Sequence, residues 1–262
     1  MTKVDIISGF LGAGKTTFIK ELISKVYSGE KMVLIENEFG EIGVDSRFMQ
    51  DAGIEVTEMN SGCICCTLVG DFARALKQVV DTYHPDRIII EPSGVGKLSD
   101  VAKAVSDMQE DAQIEVQLNS FVTVVDALKA KMYLKNFGEF FDNQIEYANT
   151  IVLSRTQMMD EAKLKECIEL LREKNEEAAI VTTEWDKLSG DMIKAALEQG
   201  HDLKKEMMEL ISHMHHDHEH HHEHHDHEHH HDHDHGHHHH DHSRIHFFEM
   251  LRIFSICSHF IL

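Results

Sequence analysis

A strand-like run at residues 4–8 leads into Gly9-Phe10-Leu11-Gly12-Ala13-Gly14-Lys15-Thr16-Thr17, and a segment of helical period follows over residues 16–27. The pattern G-x-x-x-x-G-K-[ST] between a strand and a helix is that of a phosphate cradle. Its glycines let backbone N–H groups turn inward around phosphate oxygens, and the helix start adds the positive end of its dipole. Lys15 then reaches the β- and γ-phosphates, and the Thr16 hydroxyl can ligate Mg²⁺. Gly9, Gly12, Ala13, Gly14, Lys15, Thr16 and Thr17 are therefore the expected nucleotide contacts, with Lys15 and Thr16 acting in catalysis.

Three further groups carry chemistry. Ile88-Ile89-Ile90-Glu91-Pro92-Ser93-Gly94 ends an apolar run in a carboxylate, where an acid is expected to hold the Mg²⁺ hydration shell or orient the attacking water. Gly94 could offer its N–H to the γ-phosphate and so sense that group. Cys63, Cys65 and Cys66 follow an apolar run at residues 54–59; thiols at i, i+2 and i+3 can converge on one soft ion such as Zn²⁺ or Cu(I), leaving a fourth position open for transfer. A redox pair or inert buried cysteines would fit the same spacing. Glu36-Asn37-Glu38-Phe39-Gly40-Glu41 supplies carboxylates on the next loop, with Glu36 and Glu41 as metal candidates against the ordinary reading of a solvated acidic loop.

Short apolar or β-branched runs at residues 4–8, 32–36, 54–59, 87–91, 121–126, 150–154 and 179–182 predict buried parallel strands. Helical periods at 16–27, 67–82, 97–108, 161–174 and 191–199 predict the crossovers between them. The fold class is α/β, a P-loop NTPase domain with a mostly parallel sheet flanked by helices, over residues 1–200. Pro85 and Pro92 are the only prolines, so no Pro-rich linker divides that body. Residues 201–212 then form a connecting helix or linker.

Of the 30 residues from 213 to 242, 20 are His and eight are Asp or Glu. The tract has no apolar face and is expected to be a disordered tail without metal. Its imidazoles and carboxylates form overlapping sites for Zn²⁺, Ni²⁺, Co²⁺ or Cu²⁺. A pH-responsive solvating tail is the alternative. The formal charge of −21 falls to −13 when the eight acids of the tract are set aside, which argues against a nucleic-acid surface. No signal-like series opens the chain, the five cysteines form no disulfide framework, and residues 245–262 are too interrupted by polar side chains for a membrane span. A reduced, cytoplasmic setting is expected. Cys167 reads as core, His84 and His201 as surface, and Thr182 and Thr183, near Trp185, as nucleotide contacts.

Taken in order, the glycine loop, Glu36-Asn37-Glu38-Phe39-Gly40-Glu41, Gly62-Cys63-Ile64-Cys65-Cys66 and Glu91-Pro92-Ser93-Gly94 resemble the CobW family of metallochaperone GTPases over about residues 1–200. The resemblance implies a P-loop GTPase related to the nickel-insertion GTPases of urease and hydrogenase maturation. It implies GTP, Mg²⁺ and Zn²⁺ as ligands, with Co²⁺ or Ni²⁺ as alternatives, and a client metalloprotein as partner. Cys63, Cys65 and Cys66 carry over as thiolate ligands coupled to the nucleotide site. Two departures stand out. Ser154-Arg155-Thr156-Gln157 replaces the guanine-reading N-K-x-D, so Ser154, Arg155 and Gln157 should meet the base without an Asp carboxylate to accept from guanine N1 and N2. ATP is therefore not excluded. After the His-rich segment only residues 243–262 remain where the family commonly has another domain, leaving a short family form, a truncation and a shifted reading frame as alternatives.

The expected function is GTP-driven metal delivery. No arginine finger or water-positioning Gln can be assigned, so a client or a homodimer partner is the expected source of stimulation. A metal store acting through the His tract and a P-loop kinase or ATPase are the competing readings.

Overall fold

The computed structural model describes residues 1–36, 55–58, 69–110 and 114–199. Within these, seven strands form one sheet: β1 (Thr2–Ser8), β2 (Met32–Glu36), β3 (Glu55–Glu58), β4 (Arg87–Glu91), β5 (Val116–Asp126), β6 (Thr150–Ser154) and β7 (Ala179–Val181). Their order is β3-β2-β4-β1-β5-β6-β7, and every pairing is parallel. Helices α1 (Lys15–Lys25), α2 (Val69–Tyr83), α3 (Leu98–Glu110), α4 (Ala130–Asn136), α5 (Gly138–Glu146) and α6 (Glu161–Arg172) lie in the connections between strands, and α7 (Gly190–Gln199) follows β7.

The continuous apolar runs are explained by burial on both faces. Ile88 and Ile90 enter one core with Leu98, Val101 and Val105 of α3, while Ile89 enters the other with Phe18, Ile19 and Leu22 of α1. Cys167 lies in the first core, and burial pushes its thiol up to about 11, as expected for an inert packing residue. His84 is exposed.

The predicted strands and helices are all present with shifted ends, the largest being β5, which begins at Val116 rather than 121. Between 127 and 149, where no element was expected, lie α4 and α5, too short for a clear period. Aromatic side chains of the two helices and of the residue joining them explain their place: Tyr133, Phe137 and Phe141 surround Phe10 of the glycine loop, with ring centroids 4.4, 4.9 and 6.3 Å away.

The early start of β5 has a cause in polar pairing. Its register against β1 shifts by one residue between Val4 and Asp5, a bulge that brings both Asn119 and Ser120 to the buried Asp5. Asn119 Nδ2 and Ser120 Oγ each donate to Asp5 Oδ1 at 2.6 Å, and Arg87 donates to Oδ2. Arg87 also donates to Glu30 at 2.6 Å and lies 3.7 Å from the centre of the Tyr27 ring. Removing one partner of such a pair strands the other charge. Asp5→Ala is expected to cost about 3–5 kcal/mol of folding stability, measured by urea denaturation; a loss below about 1 kcal/mol would show that Arg87 is solvated without Asp5.

Candidate functional site

Because all strands run the same way, the residue following each one emerges at a single sheet edge. That edge carries the loop after Ser8, Glu36 and Glu58 at the ends of β2 and β3, Glu91 at the end of β4, Asp126 at the end of β5 and Ser154 at the end of β6. Strand β1 sits between β4 and β5, so the glycine loop opens in the middle of the row.

The loop is shaped to hold an anion. Gly9 has φ +144° and a side chain there would stand 2.3 Å from the Val124 carbonyl oxygen, so only glycine lets the chain pass β5 this closely. Gly14 caps α1 at φ 103°. The helix start has no side-chain cap and no acid in its first turn, leaving its N–H groups available to a phosphate.

Lys15 and Glu91 face each other at 3.8 Å, with side chains 9% and 12% exposed. The Thr16 hydroxyl donates to Glu91 Oε2 at 3.5 Å. A mostly buried carboxylate between a lysine and a threonine hydroxyl fits the demands of a Mg²⁺–phosphate site: the ion's charge can replace that of Lys15, freeing the ammonium for phosphate oxygens. Gly94 is buried against the same loop, where a side chain would come 2.8 Å from the Leu11 backbone nitrogen.

At the far side of the cradle, Ser154 and Arg155 hold the loop from β6. Ser154 Oγ donates to the Ala13 carbonyl at 2.7 Å, and Arg155 Nη2 donates to the Gly12 carbonyl at 3.0 Å. Arg155 also pairs with Asp126, whose side chain is fully buried. Asp126 was not a sequence-level candidate; its signal was its position at the end of a long apolar strand. Gln157 is exposed. Thr182 and Thr183 are half-buried, and next to them Trp185 donates its indole N–H to the Leu153 carbonyl at 2.8 Å and packs its ring beside Gly14.

Glu36 is half-buried and stands in register with Glu91 on one side and Glu58 on the other. Glu58 was not singled out from sequence either. Cys63, Cys65, Cys66, Glu41, His201, the connecting segment 201–212, the His-rich segment 213–242 and residues 243–262 lie outside the described residues. Among the described residues, no three His, Cys, Asp or Glu side chains converge as a metal site, and no helix is long and apolar enough to cross a membrane.

Residues 3–182 match the family model described as CobW/HypB/UreG, nucleotide-binding domain. The chain is 34% identical over 188 residues to a zinc chaperone CobW of Sinorhizobium sp., covering 61% of this chain and 52% of that protein. It is 30% identical over 165 residues to the zinc chaperone YjiA of Escherichia coli, covering 61% and 51%. The chain thus spans about half the length of these curated relatives. The structure of Zn(II)-bound YjiA GTPase from E. coli superposes with TM-score 0.51 at 25% identity, over 68% of this chain and 56% of that one.

Arg155→Met keeps an apolar stem but removes the ties to Gly12 and Asp126. Affinity for GTP and ATP alike should fall about tenfold, the loss of roughly one charge-assisted hydrogen bond. Emission of Trp185, the only Trp, gives the titration; a loss confined to GTP would instead assign Arg155 to base reading.

Proposed function

The chain belongs to the CobW/HypB/UreG nucleotide-binding domain family, and from that premise we propose that it is a GTP-hydrolysing metallochaperone. It would bind a transition metal, zinc first, at Cys63, Cys65 and Cys66 with Glu36 and Glu41, and pass it to a client metalloprotein. The observation that carries the reading is the Lys15–Glu91–Thr16 constellation beneath an uncapped helix start.

In this reading Gly9, Gly12, Ala13, Gly14 and Thr17 wrap the phosphates through backbone and hydroxyl groups, and Lys15 neutralises charge on the β- and γ-phosphates. When bound, Mg²⁺ would supply charge neutralisation to the phosphates. Thr16 would hold it, and Glu91 would either hold its hydration shell or orient the attacking water. Gly94 would bring its backbone N–H to the γ-phosphate and so sense whether that group is in place; its close approach to Leu11 ties it to the glycine loop. Ser154 and Arg155 brace the loop, while the exposed Gln157 leaves guanine with a weak reader, so selectivity for GTP over ATP should be modest.

The register of Glu36 beside Glu91 supports a link to the metal. The two residues sit on adjacent paired strands, whose backbones are about 4.8 Å apart, so a change of partner at Glu91 would alter the field at Glu36. The thiol-bearing segment runs between the end of β3 and the start of α2, and β3 ends at this same edge. The names of the zinc-chaperone relatives favour zinc over other soft ions.

Turnover tests the proposal. Phosphate release should occur from GTP without an added acceptor, and its rate should change when Zn²⁺, Co²⁺ or Ni²⁺ is supplied. Cys65→Ala should abolish the metal response while leaving basal hydrolysis in place. Deleting residues 213–242 should lower metal capacity yet spare one tight thiolate site. A metal response that vanishes with the His-rich segment and survives Cys65→Ala would identify a store; phosphate appearing only on an acceptor would identify a kinase.

A further inference from the structure

Gln144 on α5 is fully buried, and both hydrogens of its amide are spent on the loop that follows β4. Nε2 donates to the Gly94 carbonyl at 3.1 Å and to the Gly96 carbonyl at 2.9 Å. A glutamine serving only to fill space would be better replaced by an apolar side chain, since its Oε1 is buried without a donor among the described residues. The helix that presents it is itself fixed. Thr123 of β5 donates to the Gln144 carbonyl at 2.5 Å, and Asn143 exchanges hydrogen bonds with Ser99 at the start of α3, its Nδ2 donating to Oγ at 2.9 Å and its Oδ1 accepting from Ser99 N–H at 3.2 Å.

Gly94 is therefore held from two sides, by Leu11 of the glycine loop against its α-carbon and by Gln144 at its carbonyl. A trans peptide points its N–H opposite its C=O, so anchoring the Gly94 carbonyl sets the direction of the Val95 N–H as well as the loop's height over the cradle. The same helix pair grips the glycine loop, through the packing of Tyr133, Phe137 and Phe141 on Phe10.

From this geometry we propose that Gln144 is the positioning residue that sets the Gly94 loop for recognition of a nucleoside triphosphate over a diphosphate, and that α4 and α5 are the elements to which γ-phosphate occupancy is relayed. The proposal rests on the reading of Gly94 as the γ-phosphate sensor. Gln144 touches no reacting atom; it acts by fixing the carbonyls that define the loop.

The experiment compares affinities for GDP and a non-hydrolysable GTP analogue, in Mg²⁺, for the wild-type chain, Gln144→Met, Gln144→Glu and Gly94→Ala. Gln144→Met keeps the volume and loses both donors: its preference for the triphosphate should fall about tenfold, with GDP affinity within about twofold of wild type. Gln144→Glu keeps the shape and serves if the Met variant fails to fold. Its preference should be reduced at alkaline pH and partly recover as pH falls, when the carboxyl gains a proton to donate to one carbonyl. Hydrogen exchange of residues 92–98 in the presence of the analogue should be faster in both Gln144 variants. If Gly94→Ala loses the preference while both Gln144 variants keep it, the role of Gln144 is overturned and the sensor reading stands. If Gly94→Ala keeps it too, the sensor reading falls and the proposal falls with it.

Discussion

The arrangement at the sheet edge depends on a nearly buried ion pair. Lys15 and Glu91 are 76 positions apart in sequence, and they meet because β1 and β4 pair in parallel and end together. Two charges this far from water need one another, since either alone would carry an uncompensated desolvation penalty. The same constraint makes the pair exchangeable. A triphosphate brings more negative charge than Glu91 does, and a divalent cation more positive charge than Lys15. Arrival of both can separate the pair without stranding either side chain, which makes the pair a natural point of contact between nucleotide occupancy and the rest of the edge.

What spreads from that point is set by backbone register. Glu91 lies beside Glu36, and Glu36 beside Glu58, so three acidic positions stand across adjacent strand ends. On the other flank, Asp126 holds Arg155, and Arg155 holds the Gly12 carbonyl. The segment after β6 thus braces the glycine loop.

The glycine loop and the acid after Ile90 were legible in the sequence because each is a local pattern with a fixed geometry: three glycines where the backbone needs unusual φ or close approach, and a carboxylate ending an apolar strand. The parallel sheet was legible from apolar runs of strand length separated by helical periods. The Asp5–Arg87 pair was not, because it depends on the order of strands and on a bulge near Asn119 that no short window reveals. Helices α4 and α5 were missed because seven and nine residues are too few for a period to emerge, and their purpose is tertiary: to hold Phe10 and the carbonyls after Glu91. Asp126 and Glu58 became candidates only once strand ends were aligned.

In the proposed function, occupancy of the phosphate cradle changes the grip of Cys63, Cys65 and Cys66 on a metal ion. The most direct measurement is competition titration of Zn²⁺ into the full chain, once without nucleotide and once saturated with Mg²⁺ and a non-hydrolysable GTP analogue. To isolate the thiolate site, the His-rich segment would be occupied in both arms by the same excess of a weaker-binding metal. The tight-site affinity should differ between the arms by about tenfold or more, a coupling of about 1.4 kcal/mol. Equal affinities in the two arms would contradict it.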